Sequence, residues 1–223
     1  MDKEFLEQVG FSHYNPEDFE SKTVVLRGGE KAALWVHSIS GHGILEPKFL
    51  VGNEYYLEDY RSEYSAKSEG TRMSPEEHFQ TYRDFNEKQF SQFSCQLTRD
   101  TRYLEIGCSF GGVLKKVADF GVNVCHGVEP NEEDVQFIQK KCPESKIFNS
   151  AFEDLELKQE FYDVVTSFQV LEHMVSPSSV LKKASGLMSK NGHIYLEVPN
   201  HKDLLLSCFK NIFYENFYYH KSH

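Results

Sequence analysis

The chain has 223 residues, with 24 Lys and Arg against 34 Asp and Glu, for a formal charge of −10. That acidic surplus excludes a broad electrostatic grip on nucleic-acid phosphates or on an anionic membrane surface. With 39% hydrophobic and 26% charged residues, the chain can bury one sizeable core plus an appendage, which excludes disorder along its whole length. No apolar run approaches the roughly 18 residues that cross a bilayer, and Met1-Asp2-Lys3-Glu4 places acid where a secretory leader places base. A cytoplasmic protein is expected.

In chain order, Thr23–Leu26 and Ala33–Val36 flank Gly28-Gly29 and read as a β-hairpin. A Gly/Ser/His loop from Ser38 to Gly43 leads into a third expected strand over Ile44–Val51. A tyrosine-rich, charged stretch follows from Asn53. Ser74-Pro75-Glu76-Glu77 then starts a helix, with serine at the N-cap, proline in the first turn and acids facing the helix dipole, predicted to run to about Leu97. From Thr101 short apolar runs alternate with helical segments: Tyr103–Ile106, Val122–Val128, Ile147–Phe148, Val164–Phe168 and Ile194–Val198. Helices fall between them at Gly112–Phe120, Glu132–Lys141 and Ser178–Ser189, the last closed by Asn191-Gly192. This alternation predicts an α/β fold, a Rossmann-like, doubly wound and mostly parallel sheet, behind an N-terminal hairpin and helical cap. The expected division is residues 1–98 for the cap and acceptor recognition, and 99–223 for the ligand-binding domain.

Cys95, Cys108, Cys125, Cys142 and Cys208 form no C-x-x-C pair, which fits reduced thiols rather than a disulfide framework or structural zinc. His37 and His42 lie near each other without a Cys or carboxylate at ligand spacing, so no metal is expected.

An open parallel sheet binds its ligand beyond the carboxyl ends of its strands. The first such place is Glu105-Ile106-Gly107-Cys108-Ser109-Phe110-Gly111-Gly112, where glycines either shape a tight turn or let the backbone approach a ligand. The second is Val128-Glu129-Pro130, which puts an acid at the next strand end, placed to accept both hydroxyls of a ribose. A nicotinamide-dependent oxidoreductase uses the same device. Its G-x-G-x-x-G frame is incomplete here, because Ser109 stands at the middle glycine, and Glu105 suits a cationic aminoacyl sulfonium better than a diphosphate.

From Arg102 to Asn200 the sequence resembles the class I S-adenosylmethionine-dependent methyltransferases. Glu105-x-Gly107-x-x-x-Gly111 is similar to the family's glycine-rich motif, and Glu129 falls where the family binds the ribose diol. Ser150–Leu155 resembles the motif bordering adenine, Val170-Leu171-Glu172-His173 marks one large subgroup, and Leu187–Asn200 is like that subgroup's fifth-strand ending. The resemblance implies S-adenosyl-L-methionine as cofactor, held by Tyr60, Arg61, Glu105, Gly107, Cys108, Ser109, Gly111, Glu129, Pro130, Ala151, Phe152, Glu153, Phe168 and Gln169. Tyr60 and Arg61, with Tyr55 and Tyr56, lie where relatives carry a helix closing over the cofactor; the same spacing also suits the packed face of a helix. His173 is either the general base or an anchor for its loop.

The implied reaction is in-line methyl transfer to a small molecule such as a sugar, a quinone or a secondary metabolite, by a monomer or homodimer without nucleic-acid or membrane partners. A non-catalytic cofactor-binding scaffold of the same fold is the alternative beside the oxidoreductase. Residues 199–223 are too few for the helix and antiparallel pair that end the full family fold, so the closing hairpin is expected to be incomplete, its edge covered by the N-terminal hairpin, or the chain to be a fragment. The six aromatics between Phe209 and Tyr219 are expected to pack on the sheet or the N-terminal part, to line an acceptor pocket or to form a dimer contact.

Overall fold

The computed structural model describes residues 1–26, 29–49, 73–208 and 219. The chain divides into two compact units, Asn53–Val170 with Val180–Glu197, and Met1–Gly52 with Leu171–Ser179 and Val198–His223. Helices over residues 75–93 therefore belong with the parallel sheet, whereas the N-terminal segment takes in two later pieces of chain.

The larger unit is built on strands β4 (Arg102–Ile106), β5 (Val124–Val128), β6 (Lys146–Phe148), β7 (Tyr162–Phe168) and β8 (Met188–Glu197). They pair in parallel in the order β6-β5-β4-β7-β8. The order reverses between β4 and β5 on one side and β7 on the other, which is the switch point where such sheets bind ligands. β4 sits at the centre, and four of its five residues are buried. Phe93, Tyr103, Leu114, Val117, Ile138 and Val164 form its core.

Crossover helices α4 (Gly112–Phe120) and α5 (Glu132–Lys141) have the bounds expected from sequence. Left-handed glycines at 111 and 121 delimit α4. Asn131 caps α5, accepting from the Asp134 amide, with three acids in the first turn and two lysines in the last.

Two expectations about the helices are corrected. The helix predicted from Ser74 to about Leu97 is instead α2 (Pro75–Thr81), α3 (Arg83–Phe93) and a 3-10 turn. A reciprocal Ser74–Glu77 capping box starts α2. It stops because Tyr82 leaves helical geometry (φ −91, ψ 7), directly after Thr81 turns its hydroxyl back onto the Glu77 carbonyl. Asn191-Gly192 does not cap a helix: α6 (Pro177–Leu187) ends earlier, and the pair lies in an irregular stretch of β8, where the register jumps from Tyr162↔Met188 to Val164↔His193.

At the base of the sheet Arg102 grips Asp163 through two side-chain bonds of 2.8 and 2.6 Å, and donates its backbone N–H as well. Ser189 completes this cluster, which, through the Arg102 hydrogen bonds above all, holds the Asp163 carboxyl down at about 2.

The other unit carries α1 (Lys3–Gln8), capped by Asp2, and the antiparallel sheet of β1 (Phe19–Val25), β2 (Lys31–His37) and β3 (Gly43–Leu45). The hairpin expected at Thr23–Val36 is thus present, with Gly29 at φ +87 in its turn. β3 is shorter than the predicted Ile44–Val51, because Pro47 opens a 3-10 turn over Pro47–Phe49. Val24, Leu26, Leu34, Leu45 and Phe49 form a core that includes Tyr219. Of the C-terminal aromatics, Tyr219 therefore packs against this sheet; Phe209, Phe213, Tyr214, Phe217 and Tyr218 lie outside the described residues. Helix α7 (Leu204–Cys208) precedes them. Among the described residues no helix is long and apolar enough to cross a membrane, no group of three or more His, Cys, Asp or Glu is arranged to hold a metal, and the five cysteines are free thiols.

Candidate functional site

The loop after β4 turns on left-handed residues, Gly107 at φ +71, Ser109 at φ +48 and Gly111 at φ +73. A Cβ on Gly107 would lie 2.5 Å from a methyl of Val170, so glycine is required there both for its conformation and for the close approach of the segment after β7. The amides of Gly107 and Cys108 share the Val128 carbonyl at the end of β5, tying the loop to the neighbouring strand.

Glu129 organises the space beside this loop. It is buried, and its two carboxylate oxygens accept from different backbone amides, Oε2 from Ser109 at 2.9 Å and Oε1 from Asn131 at 3.0 Å. Ser109 keeps its left-handed backbone, φ +48, while its amide donates to Glu129. Asn149 pins the following turn by donating to the carbonyls of Glu129 and Pro130.

Glu105 lies deeper, 5% exposed, 3.3 Å from the Tyr103 hydroxyl, which also bonds Thr166 at 2.7 Å. Burial above all, with the Glu129 charge adding against the Tyr103 bond, pushes its carboxyl up to about 8. The group is thus protonated at neutral pH. Cys108 is buried, with its sulfur 2.7 Å from where a Cβ on Gly127 would lie, and its thiol is held well above the ordinary range by burial.

The other expected residues divide. Phe168 packs on Phe93, with ring centroids 6.1 Å apart, in the core of the sheet. Gln169 follows it at φ +55, its side-chain amide held by Glu197, which also accepts from Gln89. Ala151 and Glu153 are partly exposed, whereas the Phe152 ring is buried. Lys183 takes the carbonyls of both Phe152 and Glu153 at 2.7 and 2.8 Å. Phe110 is covered by His78, at 4.5 Å between rings, which stacks on Tyr82, so α2 lies on the glycine loop. Tyr60 and Arg61 fall outside the described residues, as do Tyr55 and Tyr56.

The second unit holds His173 in the 3-10 turn Leu171–His173, its Nε2 4.0 Å from Glu172, both side chains about nine-tenths buried. This unit also encloses a cavity of about 450 Å³. Glu172 lines it, together with the Ser40–Leu45 segment, and His173 does not. Sequence reasoning missed Asn131, Asn149 and the cavity. Asn131 carries a legible signal, an asparagine followed by three acids at a helix start; the cavity carries none, because three distant segments build it.

The geometry fits a nucleoside with a vicinal diol: a glycine loop that any side chain at 107 would obstruct, beside a clamped carboxylate at the end of the second strand. A family model described as a methyltransferase domain matches residues 57–223, three quarters of the chain. The chain belongs to the methyltransferase domain family. As a class I methyltransferase domain it uses S-adenosylmethionine as its cofactor. Among curated relatives, a ubiquinone biosynthesis O-methyltransferase of Photobacterium profundum is 28% identical over 104 residues, covering 44% of each chain. One of Acinetobacter baylyi is 26% identical over 105 residues with the same coverage. The chain thus spans less than half the length of the curated relatives it matches. Among solved structures, a methyltransferase of Archaeoglobus fulgidus is 23% identical with a TM-score of 0.49, covering 57% of this chain and 58% of that one. A Mesorhizobium loti methyltransferase is 17% identical with a TM-score of 0.46, covering 49% and 53%. The strand order of this methyltransferase domain is what defines its fold.

Proposed function

We propose that the chain transfers a methyl group from S-adenosylmethionine to the oxygen of a small-molecule acceptor. The observation that carries this reading is the Glu129 carboxylate, fixed by the Ser109 and Asn131 amides at the edge of the glycine loop. The bound cofactor supplies a methyl already activated on a sulfonium, so the protein has to position, dehydrate and, for a hydroxyl acceptor, remove a proton. Glu129 holds the ribose, the turn at Gly107 admits the aminoacyl arm, and Glu105 ionises to meet its ammonium. Ala151 and Glu153 border the adenine, and Gln169, fixed by Glu197, the methionyl end. The names of the curated relatives support oxygen as the methylated atom, and the formal charge of −10 disfavours a nucleic-acid acceptor.

The test is a thermal shift and calorimetric titration with adenosylhomocysteine and, separately, NAD. Stabilisation by adenosylhomocysteine alone is expected. Binding of NAD alone would replace this reading with an oxidoreductase.

A further inference from the structure

Two left-handed residues that are not glycine mark the carboxyl ends of the inner strands. Ser109 (φ +48) follows β4 and Gln169 (φ +55) follows β7; among the described residues only Glu160 shares that region without being glycine. Such backbone persists where its surroundings over-determine it, and it collects at ligand sites. Each of the two is held by an acid from the neighbouring outer strand. Glu129, just past β5, takes the Ser109 amide. Glu197, the last residue of β8, takes the Gln169 backbone amide on its carbonyl at 2.8 Å and the Gln169 side-chain amide on Oε1 at 3.0 Å. Glu197 is thus the counterpart of Glu129 across the switch point.

The Glu197 carboxylate is itself fixed from behind. In β7 and β8 Thr166 stands opposite Tyr195 and Phe168 opposite Glu197, and residues opposite each other in a parallel pair share a face. Phe168 and Tyr195 both meet the Phe93 ring of α3, so Glu197 lies on the α3 side as well. One helical turn before Phe93, Gln89, 4% exposed, donates Nε2 to Glu197 Oε1 at 3.0 Å. Oε1 therefore receives two side-chain amides, and among the described residues no cation bonds this carboxylate.

A carboxylate only accepts, so the Gln169 carboxamide has to turn its NH2 toward Glu197. That settles the orientation of an amide whose two ends are otherwise interchangeable. Its carbonyl oxygen Oε1 is left as an acceptor with no partner among the described residues. The next residue, Val170, has a methyl 2.5 Å from where a Cβ on Gly107 would lie, so this segment runs against the glycine loop. An acceptor oxygen there suits an ammonium, whose three N–H donors can engage Gln169 and Glu105 together.

We propose that Glu197 and Gln89 are positioning residues for the cofactor, holding Gln169 so that its side-chain carbonyl oxygen receives the ammonium of the aminoacyl arm. The proposal rests on the methyltransferase reading above and adds to it the residues that select a ligand carrying that arm. Gln89 fixes Glu197, Glu197 orients the Gln169 amide, and Gln169 makes the contact.

The test is calorimetric titration with adenosylhomocysteine, which carries the aminoacyl arm, and with 5′-methylthioadenosine, which lacks it. Glu197→Leu removes the acceptor, so adenosylhomocysteine should weaken about tenfold or more, the loss of one charge-assisted hydrogen bond, while methylthioadenosine stays within a factor of about three. Glu197→Gln keeps an acceptor oxygen and should hold adenosylhomocysteine within about threefold of wild type. Gln169→Leu should lose the same factor as Glu197→Leu, and the double variant no more than either alone. Gln89→Leu should shift the affinities in the same direction by less. Should Glu197→Leu not fold, Glu197→Asp, which draws the acceptor back by one methylene, takes its place with the same expectation. Equal weakening of both ligands would mean a structural role only. A loss in Glu197→Gln as large as in Glu197→Leu would mean that charge acts rather than amide orientation, and additive losses in the double variant would mean that Glu197 does not act through Gln169. Each of these results, like an unchanged adenosylhomocysteine affinity in Glu197→Leu or Gln169→Leu, overturns the proposal and leaves the methyltransferase reading intact. Failure of the wild type to bind adenosylhomocysteine overturns both.

Discussion

Glu105→Gln is the perturbation with the clearest arithmetic. The folded carboxyl is pushed up to about 8 by burial, against 4.5 for the same group in water. Between those values the native state keeps a proton that the unfolded state has released, so stability falls as pH rises through the window and is flat on either side. At about 1.4 kcal/mol per pKa unit, the wild type should lose on the order of 4 kcal/mol from this group between pH 5 and pH 8. Glutamine has nearly the same shape and no charge to desolvate, so the variant lacks this slope. The assay is urea denaturation of both proteins at pH 5, 6, 7 and 8, reading the difference in unfolding free energy, in which other titrating groups cancel. The variant should gain on the wild type steadily with pH, reaching several kcal/mol at pH 8. Parallel curves would refute the reasoning, because they would mean that Glu105 is ionised and solvated in the folded protein.

The remaining expectations concern the same loop and the base of the sheet. Adenosylhomocysteine binding at pH 7 should release close to one proton from the wild type and far less from Glu105→Gln, measured by calorimetry in buffers of different ionisation enthalpy, because a bound ammonium draws the carboxyl into its charged form. Gly107→Ala should cost about 2–4 kcal/mol, from a left-handed backbone and the 2.5 Å approach to Val170, with part of the loss recovered by Val170→Ala in the same chain. Asp163→Asn should flatten the acid limb: a carboxyl held at about 2 in the fold contributes stability above its ordinary range and loses it as pH falls toward 2, so the two denaturation profiles should converge in strong acid.

The parallel sheet was legible because its central strands β4 and β7 are largely buried, and short, mostly apolar runs alternate with helical lengths. The strands begin a residue or more before those runs, at Arg102, Lys146 and Tyr162, since backbone pairing continues under polar side chains; Asp163 inside β7 is satisfied by Arg102 from the neighbouring strand. Glu129 and the glycines could be placed by their position at strand ends. Their mutual clamp, Ser109 to Glu129 across twenty residues, could not, because hydrogen-bond geometry between separate loops leaves no periodicity in sequence. The break at Tyr82 was hidden because its causes are a threonine hydroxyl and a stacked His78–Tyr82 pair within an otherwise continuous helical pattern. His42 was weighed in sequence only beside His37 as a metal pair lacking further ligands; the Ser40 and Gly41 contacts that fix its loop come from Tyr14, His37 and His201.

The most direct measurement of the central claim is a crystal structure with adenosylhomocysteine bound. The account predicts both ribose hydroxyls within hydrogen-bonding distance of the Glu129 carboxylate, and the ligand's amine on the Gly107–Glu105 side of the loop. A ligand bound elsewhere, or a ribose that leaves Glu129 untouched, would contradict it.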